Sequence, residues 1–375
     1  MISKPLTIQS EAQIFPVAGA YWNSGMRVVL CGYYGMDNGG DEALLATLLQ
    51  MLPAHVTPVV LSGNPAETTR RYGVETCPRK SLGAVLKALR QADAFVWGGG
   101  SLMQDATSAL NPIYYGSLMA IAQLMGLKTI AWAQGIGPLN RAWTRWLTRK
   151  LLRGCTRVSV RDQASAKLLT AWDIDAVQAP DPVWALTGEA TDLWQAPAPR
   201  VVVALRAHPW LTTARLAQLT EALVALQKQT QWAIALVPFQ PSHDLPIAEA
   251  IQPHLPGPSQ ILTVRDPRQL KGLFQGAELA IAMRLHALIM AAAEGCRCFA
   301  LSYDPKVSHL MADQKMMGWE MNPAGIDSSA DTLRPWPTDA ETMVKQWLDL
   351  QNSTIALSAT AQGALAHQAL LKATL

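Results

Sequence analysis

From Met26 onward, short apolar runs alternate with stretches of helical period: 28–31 then 41–52, 94–97 then 113–125, 129–133 then 142–153, 158–160 then 162–172. Alternation of this kind predicts a parallel sheet with helices on both faces. The alternation stops near Asp181 and Pro182, and residues 187–199 (TGEATDLWQAPAP) have no period but carry Pro, Gly and small residues, as a linker does. A second series follows, with strands expected at 201–205, 233–237, 261–264, 279–283 and 298–303 and helices between them. The pattern therefore predicts an α/β protein of two doubly wound, Rossmann-like units facing across a cleft. Its expected parts are a leader 1–25 outside the fold, a first unit 26–186, a linker 187–199, a second unit 200–335, and a tail 336–375. In the tail, 340–350 and about 354–371 have helical period.

A chain of 375 residues suits two domains, each able to bury a core. Its 31 Lys and Arg against 28 Asp and Glu leave +3, and only 16% of positions are charged. That excludes disorder and a protein-wide field for polyanions, so no nucleic-acid partner is expected. The most apolar run, 277–293, contains Glu278, Arg284 and His286, which is incompatible with a membrane-spanning helix. The N-terminus lacks the succession of a secretory signal, and the five cysteines are odd in number and scattered. Both features point to a reducing cytoplasm, with no disulfide framework and no metal centre expected. Most of the 13 tryptophans are expected in the core.

Ligands of open α/β sheets sit at the carboxyl ends of strands, where helix N-termini favour anions. The strand-to-helix turns are therefore the places to look for chemistry. The first, Gly32 to Glu42, offers Gly35 and Asn38 as a candidate ligand loop, but its spacing is not that of a dinucleotide site. Asp41 and Glu42 put carboxylates where a pyrophosphate would lie, and Asp41 reads either as a helix cap or as part of a ligand loop. Gly98, Gly99 and Gly100 precede Ser101, whose hydroxyl is placed to cap the next helix. Gly135 repeats the idea one strand later. Arg161 is a cation at an expected helix start, which is unfavourable against the helix dipole unless an anion binds there or Asp162 pairs with it. Arg284 and His286 stand between an apolar strand and an apolar helix, so both need partners. Asp304 and Pro305 form a cap and first-turn signature that places Lys306 in another helix start. Neighbouring parallel strands would bring Arg284, His286 and Lys306 to one rim, implying a small acidic substrate.

These turns, in order, resemble the polysaccharide pyruvyl transferase family, and within it the CsaB-type members. The resemblance rests on GYYGMDNGGDEA (32–43), GGGSLMQDATS (98–108), AQGIGPL (133–139), SVRD (159–162), DPV (181–183), VPFQ (237–240), MRLHALI (283–289) and ALSYDPKV (300–307). It implies a GT-B-like architecture, with the first unit on the acceptor side and the second on the donor side. It further implies phosphoenolpyruvate as donor and a cell-envelope saccharide as acceptor, linked to undecaprenyl diphosphate and of the N-acetylmannosamine type. The product would be a pyruvate ketal, with phosphate released and no cofactor or metal required. Carried over by motif, Arg161, Arg284 and Lys306 would bind the donor and His286 would be the catalytic acid/base. Two other readings fit the same pattern: a nucleotide-sugar glycosyltransferase or epimerase, and a non-catalytic saccharide- or phosphate-binding protein.

Residues 140–157 hold six Arg and Lys, no acid, and Trp143 and Trp146. This is either a solvated helix face whose aromatics belong to the core, or a peripheral contact with the inner face of a membrane.

Overall fold

The first sheet is built from β1 (Arg27–Cys31), β2 (Thr57–Ser62), β3 (Glu75–Pro78), β4 (Ala94–Gly100), β5 (Lys128–Gln134), β6 (Arg157–Val160) and β7 (Val177–Gln178). The second comprises β8 (Arg200–Ala204), β9 (Ala233–Leu236), β10 (Ser259–Ile261), β11 (Leu279–Ala282), β12 (Arg297–Ser302), β13 (Gly318–Glu320) and β14 (Leu333–Pro335). The first runs β3-β2-β1-β4-β5-β6-β7 and the second β10-β9-β8-β11-β12-β13-β14, so the two share one strand order. All pairs are parallel, as expected for strands joined by crossover helices. The computed structural model describes residues 25–375 apart from 107, 109, 195–198, 323–332 and 351–359. The expected leader, save its last residue, and part of the expected linker therefore lie outside the described residues.

In the first unit the helices are α1 (Gly39–Met51), α2 (Pro65–Tyr72), α3 (Leu82–Arg90), α4 (Leu110–Leu124), α5 (Ala142–Arg153) and α6 (Gln163–Ala171). The second has α7 (Thr213–Thr230), α8 (Pro241–Ile251), α9 (Pro267–Gly272), α10 (Leu285–Ala293) and α11 (Pro305–Gln314). The tail forms α12 (Ala340–Asp349), α13 (Thr360–Ala364) and α14 (Ala366–Thr374). Two strand–helix pairs, β2 with α2 and β3 with α3, lie in a stretch where no elements were expected.

α1 joins the units. Its Ala43, Leu44 and Ala46 are buried in one cluster with Phe239, Leu270 and Ala287 of the second unit. The Gly39 amide donates to the Phe239 carbonyl at 2.7 Å. Between the sheets, a single turn of 3-10 helix (Pro182–Ala185) is held by Lys271, whose buried ammonium donates to the carbonyls of Trp184 and Leu186 at 3.2 and 2.6 Å. An ammonium this buried needs such acceptors, since an unpaired charge there costs several kcal/mol.

The chain's last helix returns to the first sheet. Leu370 and Leu371 of α14 pack in the cluster of Val28 and Leu30, and His367 is fully buried. The Ser159 hydroxyl accepts from the Ala133 amide at 2.8 Å, which leaves its hydrogen for His367 Nδ1 at 3.0 Å. The Pro180 carbonyl, 3.0 Å from Nε2, can only accept, so His367 is the neutral Nε2–H tautomer. Burial pushes its pKa down to about 4, against the pull of Pro180 and Asp181. The unfolded chain binds this proton near pH 6.5 and the folded chain only near 4. Above 6.5 His367 has no effect on pH dependence; between 6.5 and 4 acidification destabilises the fold, by up to about 3 kcal/mol at the low end. Thermal melts should show this loss in that window, and His367→Gln should flatten it.

Candidate functional site

Loops at the carboxyl ends of β4, β5, β6, β8 and β12 line one cavity of about 980 Å³. Ser101, Gly135 and Arg161 reach it from the first unit, and Arg206, Tyr303 and Lys306 from the second. Positive φ at Gly99 (+75°) and Gly100 (+87°) turns the chain after β4 along this wall, a conformation that glycine holds without strain. Ala133 has φ +48° where the β5–β6 register shifts, so the backbone stores some strain at the cavity edge.

At the seam of the units stand three polar side chains in a triangle. Arg161, directly after β6, donates to Asp181 Oδ2 at 2.6 Å and lies 3.3 Å from His286 Nε2. His286, in the first turn of α10, is itself 3.5 Å from the same Asp181 oxygen. Asp181 is further fixed because its Oδ1 accepts from the Val183 amide at 3.0 Å, capping the 3-10 turn. Burial works to raise the Asp181 carboxyl, but the Arg161 guanidinium, the neighbouring His286 ring and that amide outweigh it and hold the group well below the ordinary carboxylate range. Of the two readings of Arg161, the local pair with Asp162 does not form: Asp162 caps α6 by accepting from the Ser165 amide, and Arg161 turns to Asp181.

Asp41 faces this triangle. It does not cap α1, which begins two residues earlier under Asn38, whose side chain accepts from the Gly40 amide. Its carboxylate therefore stands free in the first turn, next to Gly100, and among the described residues it accepts no hydrogen bond. Burial lifts the carboxyl above its ordinary range against the pull of His286, Arg161, Lys306 and Arg284. Glu42 points the other way, accepting from the Gly35 amide at 2.8 Å and Tyr72 at 3.1 Å. Gly40 is needed for clearance, since a Cβ there would sit 2.2 Å from His286 Nδ1.

The remaining expected residues divide. Lys306 lines the cavity in the first turn of α11, with Asp304 as the cap that accepts from its amide. Burial pushes the Lys306 ammonium below its ordinary value, against the pull of Asp304 and Asp41. Arg284 does not reach the rim as expected: its guanidinium is buried and bidentate to Asp244 of α8, with nitrogen–oxygen distances of 2.6 to 3.1 Å. Ser101 does not cap a helix, because α4 starts nine residues later; its buried hydroxyl lines the cavity without a partner among the described residues. Gly135 packs against that hydroxyl and Arg161. Gly35, at φ +68°, packs on Ser62 and Asn64, away from the cavity. Sequence reasoning gave no role to Asp181, Asp244, Arg206 or Tyr303. Arg206 donates to the Tyr303 hydroxyl at 2.7 Å with its Nε buried and unpartnered. Its signal was a cation directly after a strand, as at Arg161. Among the described residues, no three His, Cys, Asp or Glu side chains are grouped to hold a metal ion.

Two Rossmann-type sheets with a cavity between them define the GT-B class of two-domain proteins. The fold is similar to UDP-GlcNAc 2-epimerase from Methanocaldococcus jannaschii (TM-score 0.63, 10% identity, covering 93% of this chain and 99% of that one). It is similar also to UDP-GlcNAc 2-epimerase from Neisseria meningitidis, solved bound to UDP-GlcNAc (0.59, 9%, 93% and 99%), and to spinosyn rhamnosyltransferase SpnG (0.55, 12%, 93% and 96%). At these identities the likeness is one of fold. Curated protein sequences give no significant match. The family model for polysaccharide pyruvyl transferases matches residues 38–305, and the chain belongs to that family of enzymes.

Proposed function

We propose that this enzyme transfers the pyruvyl group of phosphoenolpyruvate to two hydroxyls of a cell-envelope saccharide, forming a ketal and releasing phosphate. The acceptor we favour is the CsaB-type one, an N-acetylmannosamine unit on undecaprenyl diphosphate. The observation that carries the reading is the pair of cations lining the cavity, Arg161 on one side and Lys306 on the other, with His286 behind Arg161 at 3.3 Å and the unpartnered Ser101 hydroxyl between the loops. A donor with a carboxylate and a phosphate suits a forked guanidinium and a point-charge ammonium.

The chemistry needs proton carriers at two places. One hydroxyl attacks C2 as the C2=C3 pair takes a proton at C3; the second hydroxyl then replaces phosphate at C2, and its proton leaves with the phosphate. His286 is suited to take the hydroxyl proton, because Asp181 holds the ring and stabilises the imidazolium that forms. Asp41, a carboxyl biased toward its protonated form beside His286, is suited to protonate C3. Arg284 acts from behind, fixing the turn that carries His286 through its pair with Asp244.

Calorimetric titration with phosphoenolpyruvate and, separately, UDP-N-acetylglucosamine tests the reading. Saturable binding of phosphoenolpyruvate alone is expected, weakened about ten- to a hundredfold in Arg161→Ala and Lys306→Ala, as loss of a charge-assisted contact implies. Binding of the nucleotide sugar alone would assign the cavity to a glycosyltransferase or epimerase, and donor affinity unchanged in both variants would remove these cations from the site.

A further inference from the structure

α5 presents an outer face that the fold does not use. Thr144, Thr148, Leu151 and Leu152 turn inward, while Trp143 and Trp146 are 41% and 62% exposed, so these two tryptophans are not core residues as expected for a solvated helix. Around them Arg145, Arg149, Lys150 and Arg153 are exposed. Arg145, Arg149 and Lys150 form no ion pair among the described residues. Lys150 instead lies over the Trp146 ring at 5.2 Å. On a helical wheel Trp146 and Arg153 occupy the centre of the exposed arc, with Lys150 and Trp143 on one flank and Arg149 and Arg145 on the other.

The position of this face matters as much as its composition. Helices of a parallel sheet run against the strands, so the N-termini of α4 and α5 lie at the same end as the cavity. The first turns there add Leu110 (70% exposed) and Ile113 (50%) of α4 to Trp143 of α5. The carboxylate of Asp105 pins this corner by accepting from the amides of Asn140 and Arg141 at 2.7 and 2.9 Å, between Gln104 and Pro138 of the cavity wall. Aromatic rings that seat at a headgroup boundary, beside Arg and Lys side chains that form no ion pair among the described residues, match an anionic lipid surface in charge and polarity.

We propose that the outer face of α5, with the first turn of α4, docks on an anionic bilayer and holds the cavity mouth at the membrane surface. Delivery of a lipid-linked acceptor into the cavity rests on the pyruvyl-transfer reading; the docking itself does not.

Cosedimentation of the full chain with vesicles of phosphatidylglycerol and phosphatidylcholine, against phosphatidylcholine alone, tests it. Binding is expected to the anionic vesicles at low salt and to fall at least tenfold as salt rises to about 0.5 M. It should fall at least tenfold also in Trp143→Ser/Trp146→Ser and in Arg145→Gln/Arg149→Gln/Lys150→Gln, with phosphoenolpyruvate titrations unchanged in both. No binding at low salt, or equal binding to both vesicle types, would overturn the proposal. So would a wild-type dimer in light scattering that Trp143→Ser/Trp146→Ser dissociates, since the face would then belong to a second copy. Vesicle binding without phosphoenolpyruvate binding would support docking while refuting the proposed reaction.

Discussion

His286→Ala is expected to lower pyruvyl-transfer turnover by about 10²- to 10⁴-fold while leaving phosphoenolpyruvate affinity within a few-fold of wild type. The asymmetry follows from the geometry. His286 Nε2 lies 3.3 Å from Arg161 and 3.5 Å from Asp181, and in the reaction we propose it exchanges a proton while Arg161 and Lys306 neutralise the donor's charge. Single-turnover phosphate release measured beside calorimetric donor binding separates the two effects. Affinity lost in proportion to turnover, with the rate per bound donor intact, would reassign His286 to binding. Asp41→Asn should share the phenotype, because the amide keeps the shape of the carboxyl but has no proton to give. Its neighbour Glu42 is committed to Gly35 and Tyr72 and cannot substitute.

Asp244→Ala is the substitution expected to cost most stability, about 3–5 kcal/mol. It leaves Arg284, whose side chain is 9% exposed, with a buried charge and, among the described residues, Gln240 Oε1, 3.5 Å from Nη2, as its remaining side-chain acceptor. Chemical denaturation gives the change as a lower midpoint at similar slope. The double variant Asp244→Leu/Arg284→Met should recover most of the loss, because it removes both charges and fills the volume. Its pyruvyl-transfer activity should remain low, since the turn carrying His286 loses its anchor. A double variant as unstable as Asp244→Ala would show that the pair acts through packing and not through charge compensation.

The sequence pattern made the centre of the second sheet readable because β8, β9, β11 and β12 are almost wholly buried apolar runs, whereas β10 falls at 259–261 rather than 261–264 and β13 and β14 lie where no strand was expected. In residues 53–93 the buried apolar run of β2 (TPVVLS) was passed over, and its neighbours carry little signal. β3 is a sheet-edge strand of mixed burial, and α2 (PAETTRRY) is so polar that only Thr68 is buried, so neither shows a clear period. The site followed the same division. Turn residues such as Arg161, His286 and Lys306 stood out because cations at helix starts need a reason. Their partners did not, because Asp181 lies 20 residues from Arg161 and Asp244 lies 40 from Arg284, and nothing local marks a carboxylate as the answer to a distant charge. For Trp143 and Trp146 the sequence left two readings open, core or an outward face, and only the packing of Thr144 and Thr148 beneath α5 shows which side faces out.

The return of α14 to the first sheet has a consequence for how the molecule is made. Leu370 and Leu371 complete the apolar layer over Val28 and Leu30, and His367 closes the gap between Ser159 and Pro180. The first unit to leave the ribosome thus waits for helix α14, and until that helix is synthesised its sheet exposes an unfinished face. The same helix then works as a clasp: its His367, between Ser159 and Pro180, holds the segment that carries Asp181, and with it the seam between the units, in register.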